Sequence, residues 1–106
     1  RDLMGLLTKF YKKLGFEKIK FWPSFFPYTE PSLQSMVYHE GLGRWIELGG
    51  MGIFRPEVTR PLGVKNPVLA WGSGLERLVM LRYGIDDVRK LYENDLDWLR
   101  GIPLCP

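Results

Sequence analysis

The chain has 106 residues, 45% of them hydrophobic and 25% charged, an ordinary globular composition with enough residues for one small domain. A formal net charge of +3 allows an anionic partner without requiring one, and the single cysteine, Cys105, excludes an internal disulfide framework and fits a reducing compartment. No apolar run approaches the roughly 18 residues of a membrane span, and no apolar signal-peptide core is evident, so we predict a soluble, cytoplasmic protein with no membrane partner.

The first predicted element is an amphipathic helix that ends at Gly15, a residue suited to a left-handed stop. Its apolar positions recur at three- and four-residue spacing, with lysines between them. They are Leu3, Leu6, Leu7, Phe10 and Leu14. The basic residues of this helix and of the following strand are more typical of a solvated face than of a phosphate track. They are Lys9, Lys12, Lys13, Lys18 and Lys20. Because the chain lacks an initiating methionine and begins directly in this helix, we expect it to be part of something longer.

Two alternating stretches predict strands of an antiparallel sheet. In GFEKIKFW, Ile19 and Phe21 alternate with lysines until Pro23 ends the strand. The segments SLQSMVYHE and RWIELG, joined by the turn EGLG, predict a β-hairpin. The only histidine, His39, falls in the hairpin turn with no second base or acid evident, so we interpret it as a surface residue.

The stretch FFPYTEPS places aromatic side chains and one acid between prolines. Because Pro27 and Pro31 fix their own φ and donate no N–H, this segment is predicted to lie at an edge, a bulge or the rim of a site. The glycines of GGMGIFRPEV allow the backbone to take positive φ or to approach another group closely. Pro56 then opens a short helical turn.

The last third of the sequence predicts one short strand followed by helices. NPVLAWGSG breaks on glycines directly into LERLVMLRYG, whose apolar residues repeat helically until Gly84. Asp86 and Asn94 are predicted N-caps for two further helical segments. The order of helix, antiparallel strands and helices predicts an α+β fold with an antiparallel sheet flanked by helices.

The passage AWGSGLERL is a candidate nucleotide site. A strand that ends in Gly72 and Gly74 and passes into a helix presents free N–H groups and the positive end of the helix dipole, which suit phosphate or the edge of a nucleotide. Arg77 could bind a phosphate with its planar guanidinium or lie on an adenine ring. The alternative is that the glycines only allow close packing and that Arg77 pairs with a surface acid.

Three segments, FFPYTEP, ELGGMGIFRPE and AWGSGLERLVMLRYG, occur in this order on the chain. Together they resemble the α subunits of phenylalanyl-tRNA synthetase of the archaeal and eukaryotic cytosolic type, which are class II aminoacyl-tRNA synthetases. GLERL is similar to motif 3 of that class. The resemblance extends over nearly all of residues 1–106 and implies the C-terminal part of a catalytic domain, from after motif 2 through motif 3.

The resemblance implies roles for individual residues. The ring of bound phenylalanine would be surrounded by Phe26, Tyr28 and Phe54, with Ala70 at the floor of the pocket. Such rings offer edge-to-face and stacked contacts worth about 0.5 to 1.5 kcal/mol each. Glu30 matches an acid that binds magnesium at the contact with the β subunit.

Two further assignments concern the ATP and metal sites. Arg77 matches the motif 3 arginine that grips the terminal phosphate of ATP and covers its adenine. Glu47, in WIELGG, is a second candidate for the Mg²⁺ ligand because it faces the same way as Trp45. Its alternative role, as the cross-strand partner of a lysine, is slightly favoured.

The reaction implied by the resemblance has two steps. The carboxylate of phenylalanine attacks the α-phosphate of ATP, and the aminoacyl group then moves to the end of tRNA(Phe). Positioning and charge stabilisation suffice for this chemistry, so no Ser/His/Asp or Cys/His arrangement is required. The implied assembly is an α2β2 heterotetramer in which the β subunit carries the editing site, and we expect residues 1–106 alone to be inactive.

Other functions remain open. The chain could be a noncatalytic module that binds an amino acid or nucleotide, or an assembly domain whose aromatic residues bury against a partner chain. Another amino-acid specificity, such as phosphoserine, is the nearest enzymatic alternative. It is poorly supported because basic or hydroxyl residues would be expected where Phe26, Tyr28 and Phe54 stand.

Overall fold

The computed structural model of the chain describes residues 1–104, and Cys105, on which the predicted reducing compartment rests, lies outside them. The strands are β1 (Ile19–Pro23), β2 (Thr29–His39), β3 (Arg44–Phe54) and β4 (Leu69–Ser73). The helices are α1 (Asp2–Lys13), α2 (Pro56–Thr59), α3 (Leu75–Tyr83) and α4 (Leu96–Gly101), with 3₁₀ helices over Arg60–Leu62 and Val88–Leu91. The predicted α+β class is confirmed. The chain divides into two compact units, Arg1–Ser73 and Gly74–Pro106.

The first unit is built on one antiparallel sheet with the strand order β1-β2-β3-β4. Its β2–β3 pairing is the predicted hairpin, extended at the end away from the turn to Thr29 and Phe54. In β1, Ile19 pairs with Val37 and Phe21 with Ser35, so the predicted strand is present, although Ile19, Lys20 and Phe21 are all half-buried and burial does not alternate. No helix within residues 1–104 is long and apolar enough to cross a membrane.

Helix α1 packs on the sheet through a narrow stripe. Leu3, Leu7 and Tyr11 recur every four residues and are buried, and the Tyr11 hydroxyl lies 2.9 Å from Ser35 Oγ of β2. Leu6 and Phe10, which the spacing also placed on the apolar face, are 56% and 44% exposed. The buried stripe is therefore one residue wide at each turn, since only positions four apart face the sheet directly.

The proline segment enters β2 through a bulge. The register of β2 against β3 shifts between Thr29 and Ser32, and Pro31 lies at this shift after a cis Glu30–Pro31 peptide bond. Thr29 Oγ1 and Ser32 Oγ are 2.6 Å apart, and both residues are buried. A bulge is one of the three positions that the prolines allow, and it lets Pro31 lie within a central strand without breaking the rest of the ladder. Pro27 lies in the turn before β2.

Two residues differ from their predicted surroundings. Lys20 is half-buried rather than solvated, because its Nζ lies 4.3 Å from the ring centroid of Trp45 and 5.6 Å from that of Trp22. His39 is the last residue of β2 rather than a turn residue, and it is half-buried. Its Nδ1 accepts the backbone N–H of Leu42 at 3.0 Å, which stabilises the hairpin turn.

In the second unit, α3 ends at Gly84, whose φ of 65° is the left-handed conformation that favours glycine. Both predicted N-caps are wrong by one residue. Asp87 caps the 3₁₀ helix by accepting the Arg89 N–H, and Asp95 caps α4 by accepting the N–H groups of Asp97 and Trp98. Asp86 instead pairs with Lys90 at 2.8 Å, and Asn94 adopts a φ of 54°. Each cap lies in a pair of adjacent residues that are both suited to capping, and the side chain nearer the helix reaches its N–H groups.

Candidate functional site

Three aromatic rings form a wall on one side of the first unit. Phe26 and Tyr28 are stacked with ring centroids 5.9 Å apart and an interplanar angle of 20°. Tyr28 meets Phe54 edge to face at 6.3 Å and 68°. Both geometries are those that aromatic pairs prefer, so each ring supports the orientation of the next.

Backbone hydrogen bonds hold this wall at the end of the sheet. The Thr29 N–H donates to the Phe26 carbonyl at 3.4 Å, which turns the chain between the two stacked rings. The Arg55 N–H donates to the Tyr28 carbonyl at 3.0 Å and ties the turn to the residue after β3. Phe54, the last residue of β3, pairs with Thr29. The three rings are therefore fixed by the junction of β2 and β3 and not by a free loop.

Small residues of β3 and β4 form the floor beneath the rings. Gly50 pairs with Gly72, and Gly52 pairs with Ala70. Because side chains alternate along a strand, these positions share the sheet face that also carries Phe54. The side chains at these four positions are a hydrogen atom or a methyl group, which leaves space between the floor and the rings.

That space is a cavity of about 200 Å³. Its lining consists of Phe26, Tyr28, Thr29, Gly50, Met51, Phe54, Ala70, Trp71 and Gly72. None of these lining residues is charged. The buried Thr29 hydroxyl is occupied by Ser32, so the cavity offers mainly apolar and aromatic surface. An apolar cavity of about 150 Å³ is enough to bind benzene, so the space suits one aromatic or branched apolar side chain.

The structure brings the four predicted pocket residues, Phe26, Tyr28, Phe54 and Ala70, together around this one cavity. Gly72, predicted to contact ATP, lines the same cavity. The identity of the ligand stays a prediction. The remaining lining residues were not predicted, because they enter the site through strand register. Of these, Gly50 had a partial signal, since the glycines around it predicted the close approach of another group.

The predicted nucleotide residues of the second unit lie at the start of α3. Gly74 is the N-cap, with no side-chain hydrogen bond to the helix, so the first N–H groups of α3 have no capping side chain. Arg77 folds back over this end, with its Cγ 3.7 Å from the position that a Cβ on Gly74 would take. The neighbouring Glu76 accepts a hydrogen bond from the Tyr92 hydroxyl, which lowers the pKa of Glu76 and raises the pKa of Tyr92.

The two candidate metal ligands differ in exposure. The Glu30 carboxylate is 69% exposed and lies 3.4 Å from the Arg55 guanidinium. Glu47 is half-buried and pairs in register with Met36, on the same face as Trp45, as predicted. Within residues 1–104 no three His, Cys, Asp or Glu side chains are grouped so that they could hold a metal ion. One exposed carboxylate still fits Mg²⁺, which is commonly held by one or two carboxylates together with substrate phosphates.

Comparison with known proteins gives consistent matches. Residues 1–102 match the sequence model of the tRNA synthetase class II core domain family of type F. The chain is 57% identical over 104 residues to the phenylalanine–tRNA ligase alpha subunit of Methanospirillum hungatei, which covers 98% of the chain and 22% of that protein. The proteins of the same name from Methanocaldococcus jannaschii and Archaeoglobus fulgidus are each 57% identical, over 95% and 99% of the chain and 21% and 22% of their own length. The chain thus spans about a fifth of the length of these relatives.

Proposed function

Because the chain belongs to the class II tRNA synthetase core domain family, with phenylalanine–tRNA ligase alpha subunits among its relatives, we propose that it is part of the catalytic domain of such a subunit. The predicted resemblance to these α subunits is confirmed. In the proposal, residues 1–106 are the C-terminal part of that domain, and the complete protein activates phenylalanine with ATP and transfers it to tRNA(Phe). The observation that carries the proposal is the aromatic cavity of about 200 Å³.

The cavity supports phenylalanine through its shape and its polarity. Phe26 and Tyr28 present a stacked pair of rings, and Phe54 stands at a steep angle to Tyr28, so a bound phenyl ring would meet both faces and edges. Ala70 lies on the floor, where its methyl group limits the depth of the cavity. Because the lining carries no charge, a phosphoserine side chain would lose its hydration without gaining a partner there.

The roles toward ATP are assigned to the chain's own groups at the start of α3. The N–H groups of the first turn and the guanidinium of Arg77 suit the phosphates of ATP, since both offer donors to an anion. In the proposed reaction, the phenylalanine carboxylate attacks the α-phosphate, pyrophosphate leaves, and phenylalanyl adenylate forms. The aminoacyl group then passes to a hydroxyl of the tRNA terminus with release of AMP. These groups act by holding reactants and offsetting charge.

Magnesium would be held by Glu30, with Glu47 as the second candidate. Its chemistry, when bound, is to offset the charge of ATP and of the leaving pyrophosphate. Glu30 presents an exposed carboxylate, and exposure also suits a contact with a partner chain, here the β subunit of an α2β2 heterotetramer. Arg55, at 3.4 Å, partly offsets the charge of this carboxylate in the absence of metal. The proposal places the complete protein in the cytoplasm.

Selectivity against tyrosine is expected to be incomplete. A mainly apolar pocket rejects a substrate that merely adds a hydroxyl by only about 10²-fold, and no charged group lines this cavity to improve on that. The proposal therefore includes correction of tyrosine errors outside this chain, on the β subunit.

The test is ATP–pyrophosphate exchange by the complete protein together with its partner subunit. We expect exchange that depends on phenylalanine and is roughly 10²-fold weaker with tyrosine. The chain of residues 1–106, assayed alone, is expected to show none. Binding of phenylalanine without exchange would favour a noncatalytic binding module, and binding of the partner chain without any response to ATP or phenylalanine would favour an assembly domain. Either result in the complete protein would overturn the proposed function.

A further inference from the structure

Gly50 of β3 lies directly beneath the ring of Phe26. A Cβ built on Gly50 would stand 2.5 Å from Phe26 Cζ, 2.7 Å from Cε2 and 3.2 Å from Cε1. Carbon atoms in contact prefer separations of about 3.5 to 4.0 Å, so even a methyl group cannot share this space with the ring. The hydrogen of a glycine is what allows the ring to rest on the sheet.

We propose that Gly50 is a positioning residue for the amino-acid substrate, because its missing side chain seats the Phe26 ring and thereby sets the width of the pocket. The inference rests on the proposed function, in which Phe26 is a wall of the phenylalanine site. Gly50 lines the same cavity through its backbone. It acts on the substrate through Phe26 and not through a contact of its own.

The requirement for glycine at residue 50 is steric and not conformational. Gly50 is not among the glycines with positive φ, which are Gly15, Gly43, Gly63 and Gly84. An alanine could therefore adopt the same extended backbone without strain. The three atoms nearest to such a methyl group, at 2.5 to 3.2 Å, all belong to the Phe26 ring.

Displacement of the Phe26 ring would affect the other rings of the aromatic wall. Relieving the overlap requires the ring to move by about 1 Å or more. The Phe26 ring is also stacked on Tyr28, which in turn meets Phe54, so a shift of Phe26 either narrows the cavity or disturbs the other two rings. Both outcomes reduce the fit of an aromatic substrate.

The steric requirement for glycine applies to Gly50 of β3 and not to Gly72, its cross-strand neighbour in β4. Gly72 pairs with Gly50 and lines the same cavity, yet a Cβ on Gly72 would meet no atom within 4 Å. Of the two paired glycines, only Gly50 is needed to seat a ring.

The experiment measures phenylalanine-dependent pyrophosphate exchange by the complete protein with its partner subunit, for Gly50→Ala, Phe26→Leu and the double variant. Gly50→Ala is expected to raise the KM for phenylalanine by roughly tenfold or more and to leave the KM for ATP unchanged. In the Phe26→Leu background, which lacks the clashing ring atoms, adding Gly50→Ala should change the KM for phenylalanine less than about twofold. Gly5→Ala on α1, where a Cβ would meet nothing within 4 Å, is the control for the substitution itself.

An unchanged KM for phenylalanine in Gly50→Ala, or the same fold-change with and without the Phe26 ring, overturns the positioning role while leaving the proposed function intact. If the unsubstituted protein shows no phenylalanine-dependent exchange, both the positioning role of Gly50 and the proposed function are overturned. If Gly50→Ala does not fold, Phe26→Tyr probes the contact from the ring side, because it adds a hydroxyl to Cζ, the ring atom nearest to the added Cβ. A KM for phenylalanine unchanged by Phe26→Tyr would then overturn the inference.

Discussion

The hydroxyl groups of Tyr11 and Ser35 meet 2.9 Å apart and join helix α1 to the centre of the sheet, where each residue is only 1% exposed. Ser35 Oγ also donates to the Gly49 carbonyl of β3 at 3.2 Å, so Tyr11 is the donor to Ser35. Ser35 and Gly49 are paired across the strands, on the face opposite to Gly50. One side of β3 is thus anchored to α1 while the other side forms the floor of the cavity.

Removing the serine hydroxyl should destabilise this anchor more than removing the tyrosine hydroxyl. Ser35→Ala leaves the buried Tyr11 hydroxyl without a partner, at a cost of about 1 to 3 kcal/mol, whereas Tyr11→Phe leaves Ser35 bonded to Gly49 and costs about 1 kcal/mol. Hydrogen exchange of the β2 and β3 amides in the complete protein measures both free energies of opening. A larger cost for Tyr11→Phe would contradict the assigned direction of the hydrogen bond.

Substitution by alanine should reduce the stability of the sheet strongly at Gly49 and only slightly at Gly72. A Cβ on Gly49 would lie 2.1 Å from the Gly72 carbonyl oxygen, a backbone atom that cannot move aside without separating β3 from β4. Gly49→Ala should therefore cost about 3 kcal/mol or more, and Gly72→Ala, with open space around its Cβ, less than about 1 kcal/mol. Hydrogen exchange of the Leu69–Ser73 amides checks this. Equal loss of protection in the two variants would show that β4 can shift to admit the methyl group.

Local patterns in the sequence were sufficient for the elements that depend on near neighbours. The period of α1, the alternation of β1 and the hairpin of β2 and β3 were predicted because each depends on residues close in the chain. The N-cap residues could not be deduced from the sequence, since Asp86 and Asp87 are both good capping residues and only the path of the chain decides between them. The spacing also predicts that Leu6 and Phe10 are buried, but they are exposed, because the part of α1 that contacts the sheet is narrower than the apolar face of the helix.

The residues that line the cavity could not be predicted from any local sequence pattern. The resemblance to a family supplied Phe26, Tyr28, Phe54 and Ala70, but the contact of Gly50 with a ring 24 positions earlier follows from strand register and from the bulge in β2. A shift of one residue would turn every side chain to the other face. Register is set by pairing between distant segments, so the floor of the cavity could not be deduced from the glycine-rich stretch alone.

Ala70 is the residue whose replacement should widen the amino-acid specificity. Its methyl group lies on the cavity floor, and Ala70→Gly removes it from a position that pairs with Gly52, so the strand pairing is kept. In the complete enzyme we expect Ala70→Gly to increase the activation of para-chlorophenylalanine relative to phenylalanine by about tenfold, the scale of a methyl-sized change in an apolar pocket. Pyrophosphate exchange with both amino acids measures the ratio. An unchanged ratio would remove Ala70 from beneath the para carbon.

Glu30 and Glu47 can be separated as metal ligands by their response to Mg²⁺. Glu30→Gln keeps the size of the side chain and removes its charge. The Mg²⁺ concentration needed for half-maximal exchange should therefore rise by about 3- to 10-fold, because one carboxylate is lost while the phosphates of ATP still bind the ion. Glu47→Gln, its matched control, should leave this concentration unchanged. The ion pair of Glu30 with Arg55 is exposed, so its loss should change stability by less than about 1 kcal/mol. The reverse pattern would transfer the metal role to Glu47.

Asp87 should titrate well below an ordinary aspartate. The Arg89 side chain donates to both carboxylate oxygens, at 2.6 to 3.1 Å, and its backbone N–H donates at 2.9 Å, which together hold the pKa of Asp87 at about 2, against an ordinary 3.8. A lowered pKa means that the stabilising contribution of this cap is complete above pH 3.8 and is lost as the pH falls toward 2. The carboxyl carbon of Asp87, followed by NMR, should therefore show a midpoint near 2. Arg89→Ala should raise that midpoint only part of the way to 3.8, because the backbone N–H of residue 89 still donates. A midpoint of 3.8 or above in the unsubstituted protein would mean that neither contact persists in solution.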